Sequence, residues 1–316
     1  MKLGVTNPNV ELGPEPEPIR DMVQAAEDLG YDYLMLYDHV IGADTSTRPD
    51  WRPFNGQPPV YTIEDPFHEP MVLYGYIAAI TKRIELATGV IILPQRQAVL
   101  AAKQFAEIDI LSGGRTRLGV AIGWNPVEYE ALGMNFHDRG ARIAEQVELM
   151  RLLWTQKSVT FHGKWHTVDS AGIKPLPIQK PIPVWFGGTA DAVLKRTARL
   201  GDGWYIPSYM QEQEIRIHLD RLYGFAREAG RDPKSIGIEG IIRMWGGRTP
   251  EQCADLLKMW KSVGATHVTF NTESDTYLKR LQVSHVSASK DSEILSMDQR
   301  IDAMRRFKEA SKGLID

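Results

Sequence analysis

At 316 residues the chain is long enough to bury a full core, either as one large α/β barrel or as two ordinary domains. A formal charge of −3 with 24% charged residues leaves no basic footprint for nucleic acid or an anionic membrane, so the expected partner is a small molecule. The opening MKLGVTNPNV lacks an apolar leader segment, and no run approaches the roughly 18 apolar residues of a membrane span, which makes a cytoplasmic protein the expectation.

Apolar, strand-like runs recur along the chain, each followed by a helical pattern, as repeated βα units require. The expected strands are 3–6, 33–37, 84–91, 117–122, 182–186, 203–206, 236–242 and 266–270. Eight such runs close a (β/α)8 TIM barrel of class α/β, expected here as one domain over 1–316. Between them, 18–29 spaces Ile19, Met22, Ala26 and Leu29 on one face and stops at Gly30. RIAEQVELMRLLW aligns Ile143, Val147, Met150 and Leu153, and ADAVLKRTARLG ends at Gly201. Thr249 with Gln252, and Ser296 with Gln299, read as capping boxes. The single cysteine, Cys253, lies in a helical pattern with Leu256, Leu257 and Trp260 and reads as a buried thiol, not a nucleophile.

Three stretches exceed a minimal barrel. Residues 42–64, with Trp51, Phe54 and Tyr61, are too long and aromatic for an ordinary βα connection and read as a lid or pocket wall. Residues 155–181 hold a hairpin with Gly163-Lys164 as an expected two-residue turn, and 274–297 read as a polar flap.

Barrel enzymes build their sites where strands end, because the βα loops meet over the packed core. The second strand ends in Asp38-His39, and the third passes through Thr88-Gly89-Val90. The fourth ends in Gly123-Trp124-Asn125, and the fifth in Phe186-Gly187-Gly188-Thr189. His39 is either a core histidine satisfied by backbone or a proton donor and acceptor facing a pocket. The glycine pair is either a tight turn or a phosphate cradle, with free N–H groups and a hydroxyl at a helix start. Trp124 either walls a flat ring system or packs in the core. Ser112-Gly113-Gly114 ends a helix, with Arg115 placed to meet helix-end carbonyls. His162 and His166 are four apart, but the Gly-Lys turn makes this a hairpin that puts them on opposite strands and out of direct register, so no metal site is expected. No strand is followed by G-x-G-x-x-G, which argues against a Rossmann dinucleotide site.

Together and in this order, these motifs resemble the luciferase-like monooxygenase family, in particular its deazaflavin-dependent oxidoreductase branch. The likeness is carried by AAEDLGYDYLMLYDHV, by IELATGVIILPQRQAVLAAKQFAEIDILSGGRTRLGVAIGWNPVEYEALGMNF, by FHGKWH and by PIPVWFGGTADAVLKRTARLGDGW. It implies a barrel, often dimeric, that binds coenzyme F420 or FMN at its C-terminal mouth. By the same resemblance, Asp38 and His39 lie near the reactive part of the ring, with His39 moving the proton and Asp38 tuning it. Gly89-Val90 is the family's non-prolyl cis peptide, a bulge under the ring. Gly123 and Trp124 form pocket wall, Glu128 is a polar contact, and Phe186, Gly187, Gly188 and Thr189 form the phosphate-side loop. Trp124 departs from the sugar-phosphate dehydrogenase relatives, which carry a carboxylate there, so their substrate and full mechanism do not transfer. Arg48, Arg52 and Arg96 remain as cations for an anion. The expected activity is hydride transfer between coenzyme F420 and a small organic substrate. The alternatives are an FMN-dependent monooxygenase fed by a separate flavin reductase, and a flavin-binding protein without turnover.

Overall fold

A computed structural model describes residues 1–53, 56–207, 209–274 and 294–315. In chain order its strands are β1 (Lys2–Thr6), β2 (Tyr33–Leu36), β3 (Glu85–Thr88), β4 (Ile91–Ile92), β5 (Thr116–Ala121), β6 (Val159–His162), β7 (Thr167–Ala171), β8 (Val184–Gly187), β9 (Gly203–Tyr205), β10 (Gly237–Arg243) and β11 (His267–Asn271). Parallel pairing runs from β1 through β2, β3, β5, β8, β9, β10 and β11 and returns to β1, which closes an eight-stranded barrel. All eight expected runs lie in that ring. The third is interrupted after Thr88, and β4 resumes beside β5 with Ile91 opposite Val120.

Successive side chains of a strand point to opposite faces, and this alternation sorts the core into two parts. Leu34, Leu36, Val184, Phe186 and Trp204 turn outward under the helices, whereas Tyr33, Met35, Ala87, Trp185 and Tyr205 turn inward and pack together. Large rings inside need small partners opposite. A Cβ on Gly203 or Gly237 would come within 2.1 or 2.4 Å of the Trp185 ring, so those positions are glycine because the indole occupies the space. Among the rings lies Arg117, 3% exposed, 4.6 Å from the Tyr33 and Trp185 centroids. A buried guanidinium is tolerated only when paired. It donates to Glu85 and to Glu239 at 2.5 Å each and to the Tyr205 hydroxyl at 2.9 Å.

The helices follow their sequence signals closely. Pro16–Asp28 buries Ile19, Met22, Val23 and Ala26, and Gly30 takes a positive φ just past its end. Thr249 and Ser296 both form the expected capping boxes. Arg115 meets carbonyls of Ser112, Thr81 and Ile84, as its position after the glycine pair implies. Cys253 is buried, and burial pushes its thiol up to about 12. Among the described residues, no helix is long and apolar enough to cross a membrane.

The hairpin differs from expectation at its tip. β6 pairs with β7 as His162 opposite Thr167, and Gly163 N–H donates to the His166 carbonyl, so the loop has four residues instead of the Gly163-Lys164 pair. Its cause lies outside the hairpin. Glu145, on the helix Arg139–Thr155, accepts the backbone N–H groups of Lys164, Trp165 and His166 and fixes the wider loop. The stretch 42–64 is clipped at its base, where Ile63 N–H donates to the Ala43 carbonyl at 3.3 Å. Most of the expected flap at 274–297 lies outside the described residues.

Candidate active site

At the C-terminal ends of the strands a cavity of about 440 Å³ opens, lined among others by His39, Gly89, Val90, Trp124, Gly187 and Arg243. Its size suits a small molecule or a cofactor ring. Polar groups converge on it from several strands.

Asp38 and His39 follow the end of β2, and both line the cavity, but they engage different partners. The Asp38 carboxylate accepts the Ile92 N–H at 2.9 Å and two guanidinium nitrogens of Arg96, which also reaches Glu69 at 2.9 Å. Asp38, expected to tune His39, is therefore committed to holding the start of the next βα connection against β2. The carboxylate at His39 is Glu128: its Oε2 lies 3.3 Å from Nδ1, and its Oε1 accepts the Val40 N–H at 2.7 Å. Glu128 is completely buried and does not line the cavity, so it stands behind the imidazole and not in the path of a bound molecule.

Three rings box His39. Tyr61 lies across it at 3.9 Å between centroids, Phe67 meets it edge-on at 4.9 Å, and Trp124 at 6.0 Å. Tyr61 comes from the long 42–64 loop, and its hydroxyl accepts from Asn125 Nδ2 at 2.7 Å and donates to the Ile41 carbonyl at 3.3 Å. Burial pushes the Tyr61 phenol up, with the Glu128 charge adding to it. Both Asn125, which caps the helix Pro126–Ala131, and Glu128, in its first turn, come from the segment after β5.

Another part of the lining is built from small residues. The Gly89–Val90 peptide is cis, as the resemblance implies, and both residues line the cavity. Gly123 adopts φ +63°, and a Cβ there would press to 2.7 Å from Ile92 Cγ2. Gly187 and Gly188 line the cavity, Gly188 with φ +123° and its carbonyl accepting from Trp204 Nε1 at 2.8 Å. A helix, Asp191–Leu200, follows them with no side-chain cap at its start. Phe186, expected in the phosphate-side loop, instead packs outward in the main core because Trp185 takes the inward register. Thr189 is half-buried and lies outside the lining.

One cluster escaped the sequence reading. Arg243 at the end of β10 donates to Glu273 at 2.7 Å and to the Tyr37 hydroxyl at 3.0 Å, and Asn271 at the end of β11 donates to the same two groups. Burial raises the Tyr37 phenol. Deeper still, Glu239 forms part of the floor, its carboxyl pushed up by burial against the pull of Arg117. The strand-tip rule applied to β10 and β11 would have found Arg243 and Asn271. Arg48 lies over Trp51 and Arg52 binds the carbonyls of Pro49 and Trp51, so neither lines the cavity, and Phe54 lies outside the described residues. His166 is held by Glu145 at 2.8 Å, a partner the fold brings from an earlier helix. Among the described residues, no group of three or more His, Cys, Asp and Glu side chains is placed to hold a metal ion.

A family model described as luciferase-like monooxygenase matches residues 1–306. An F420-dependent glucose-6-phosphate dehydrogenase of Kineococcus radiotolerans is 26% identical over 259 residues, which is 79% of this chain and 70% of that protein. An FMNH(2)-dependent dimethylsulfone monooxygenase of Pseudomonas putida is 30% identical over 179 residues; the match spans 55% of this chain and 48% of that longer protein. Among solved structures, monooxygenase RslO1 from Streptomyces bottropensis superposes with a TM-score of 0.72 at 18% identity, covering 98% of both chains, a likeness of fold.

Proposed function

The chain belongs to the luciferase-like monooxygenase family, and on that premise we propose that it is an oxidoreductase moving a hydride between coenzyme F420 and a small organic substrate at the barrel mouth. One observation carries the proposal: an imidazole held by a buried carboxylate lines the same strand-end cavity as Gly89, Val90 and the glycine pair Gly187-Gly188.

The residues present fit a flat ring. A Cβ on Gly187 would stand 3.3 Å from Val90 Cγ1 and 3.8 Å from the Ala121 Cβ, so the missing side chain is what leaves the slot open. Val90, Ile92, Ala121 and Trp124 give that slot apolar walls, and the backbone after Gly187 offers N–H groups to a phosphate at the start of the following helix. When bound, the deazaflavin supplies a ring carbon that gives or takes hydride. His39 takes up or returns the accompanying proton. Arg96 and Asp38 hold the end of β2 that carries it. Val10, Phe67, Ile122 and Tyr209 exclude water from the reacting face.

A second reading is favoured by the RslO1 fold and the dimethylsulfone monooxygenase match: an FMN-dependent monooxygenase that takes reduced flavin from a partner reductase. Fluorescence-quenching titrations with coenzyme F420 and with FMN separate the two. Tight binding of FMN alone would overturn the first reading. We also propose a homodimer, supported by the apolar side chains Val72, Tyr76, Val99, Leu100 and Leu111 exposed on the helices Pro70–Ile80 and Ala98–Ser112.

A further inference from the structure

We infer that Glu128 is a positioning residue: it fixes His39 as the Nδ1–H tautomer, so that Nε2 meets the cavity as a proton acceptor. What Nε2 then acts on rests on the hydride-transfer reading above, whereas the tautomer itself does not. An ionised carboxylate accepts hydrogen bonds and donates none. One Glu128 oxygen is occupied by the Val40 N–H at 2.7 Å, and the other faces His39 Nδ1 at 3.3 Å, so the proton on that ring belongs at Nδ1. Among the described residues, Glu128 is the hydrogen-bond partner of the His39 ring, and Nε2 is the nitrogen left for the cavity.

The surroundings hold the ring without competing for its proton. Tyr61 covers one face of the imidazole, and its hydroxyl is already engaged by Asn125 and Ile41. Phe67 and Trp124 approach the ring edge-on. Glu128, Asn125 and Trp124 belong to one short stretch after β5, so a single βα connection both orients the imidazole and sets its tautomer. The resemblance made Glu128 a contact of the bound ring. Its burial behind His39 gives it this other task.

The test is a long-range proton–nitrogen correlation spectrum of the histidine-labelled apo protein at alkaline pH, with the His39 signals assigned by their loss in His39→Gln. The wild-type ring is expected to carry Nδ1–H. In Glu128→Gln the amide has one acceptor oxygen, which the Val40 N–H takes, so its NH2 group faces Nδ1 and the ring changes to Nε2–H, moving the Nδ1 resonance downfield by tens of ppm. Tyr61→Phe keeps Nδ1–H. A wild-type ring carrying Nε2–H overturns the assignment without any variant, and so does Nδ1–H persisting in Glu128→Gln. Quenching titrations with coenzyme F420 on the same two proteins should agree within about twofold. A loss of more than about tenfold in Glu128→Gln with an unchanged tautomer would make Glu128 a cofactor contact instead. Absence of quenching in both proteins would sink the hydride-transfer reading and leave the tautomer result standing.

Discussion

Arg96 grips Asp38 with two nitrogens, Nη2 at 2.7 Å and Nε at 3.3 Å, across a sequence separation of 58 residues. Asp38 is 2% exposed, so its charge has little recourse to water. Arg96→Met should lower unfolding stability by about 3–5 kcal/mol, the cost of an uncompensated buried charge. Adding Asp38→Asn should restore much of it. Urea unfolding of the three proteins checks this, and equal stability of the single and double variants would contradict it.

His39→Asn should lower kcat by about 10²–10⁴, the usual worth of a positioned proton-transfer group, with cofactor affinity retained. Steady-state kinetics with whichever cofactor binds, paired with a quenching titration, measures both quantities. Unchanged turnover would remove the proton role.

Gly187→Val should fill the slot beside Val90 and weaken cofactor binding at least tenfold, or about 1.4 kcal/mol, with little change in Tm. A fluorescence titration and a thermal melt check the two halves. Wild-type affinity in this variant would place the ring elsewhere.

His267 is lowered from 6.5 to about 2, first by burial and then by Arg117, Lys2 and the N-terminal ammonium. Its folded affinity for protons lies below its unfolded one, so the unfolded chain binds the extra proton and stability falls as pH drops from about 6.5 toward 2. The slope from this one group is at most about 1.4 kcal/mol per pH unit. In His267→Gln that component disappears, so the stability gap between wild type and variant, read by urea unfolding, should change between pH 7 and pH 4 in the variant's favour.

Val72→Glu combined with Leu100→Glu places charge on the exposed apolar face of the helices Pro70–Ile80 and Ala98–Ser112. Sedimentation velocity should find the wild type dimeric and the double variant shifted to monomer. A wild-type monomer at all concentrations would refute the proposed homodimer.

The barrel was legible because strands buried on both faces read as continuous apolar runs, and the helices between them declare their ends through glycine and capping boxes. His39, Gly89, Val90 and the glycine pair were legible because strand tips are known places. Partnership was not. Nothing local announces that Asp38 belongs to Arg96, that Glu128 reaches back to His39, or that Glu145 holds His166, since each pair joins distant segments. The outward turn of Phe186 follows from strand alternation once the bulky Trp185 is known to fill the interior, and that depends on Gly203 and Gly237 across the barrel.

The clip at the base of the 42–64 stretch also separates two duties. Gly42 lies so close under the Thr62 carbonyl that a Cβ would come within 2.2 Å of its oxygen, and Tyr61, the ring that steadies His39, sits next to that fastening. Residues farther out along the excursion are tethered by this stem, and enlarging such an excursion costs little, about 0.6 kcal/mol per doubling of its length. The outer arc is thus an exchangeable module. Grafting a different arc between Ala43 and Val60 should leave the imidazole at its post.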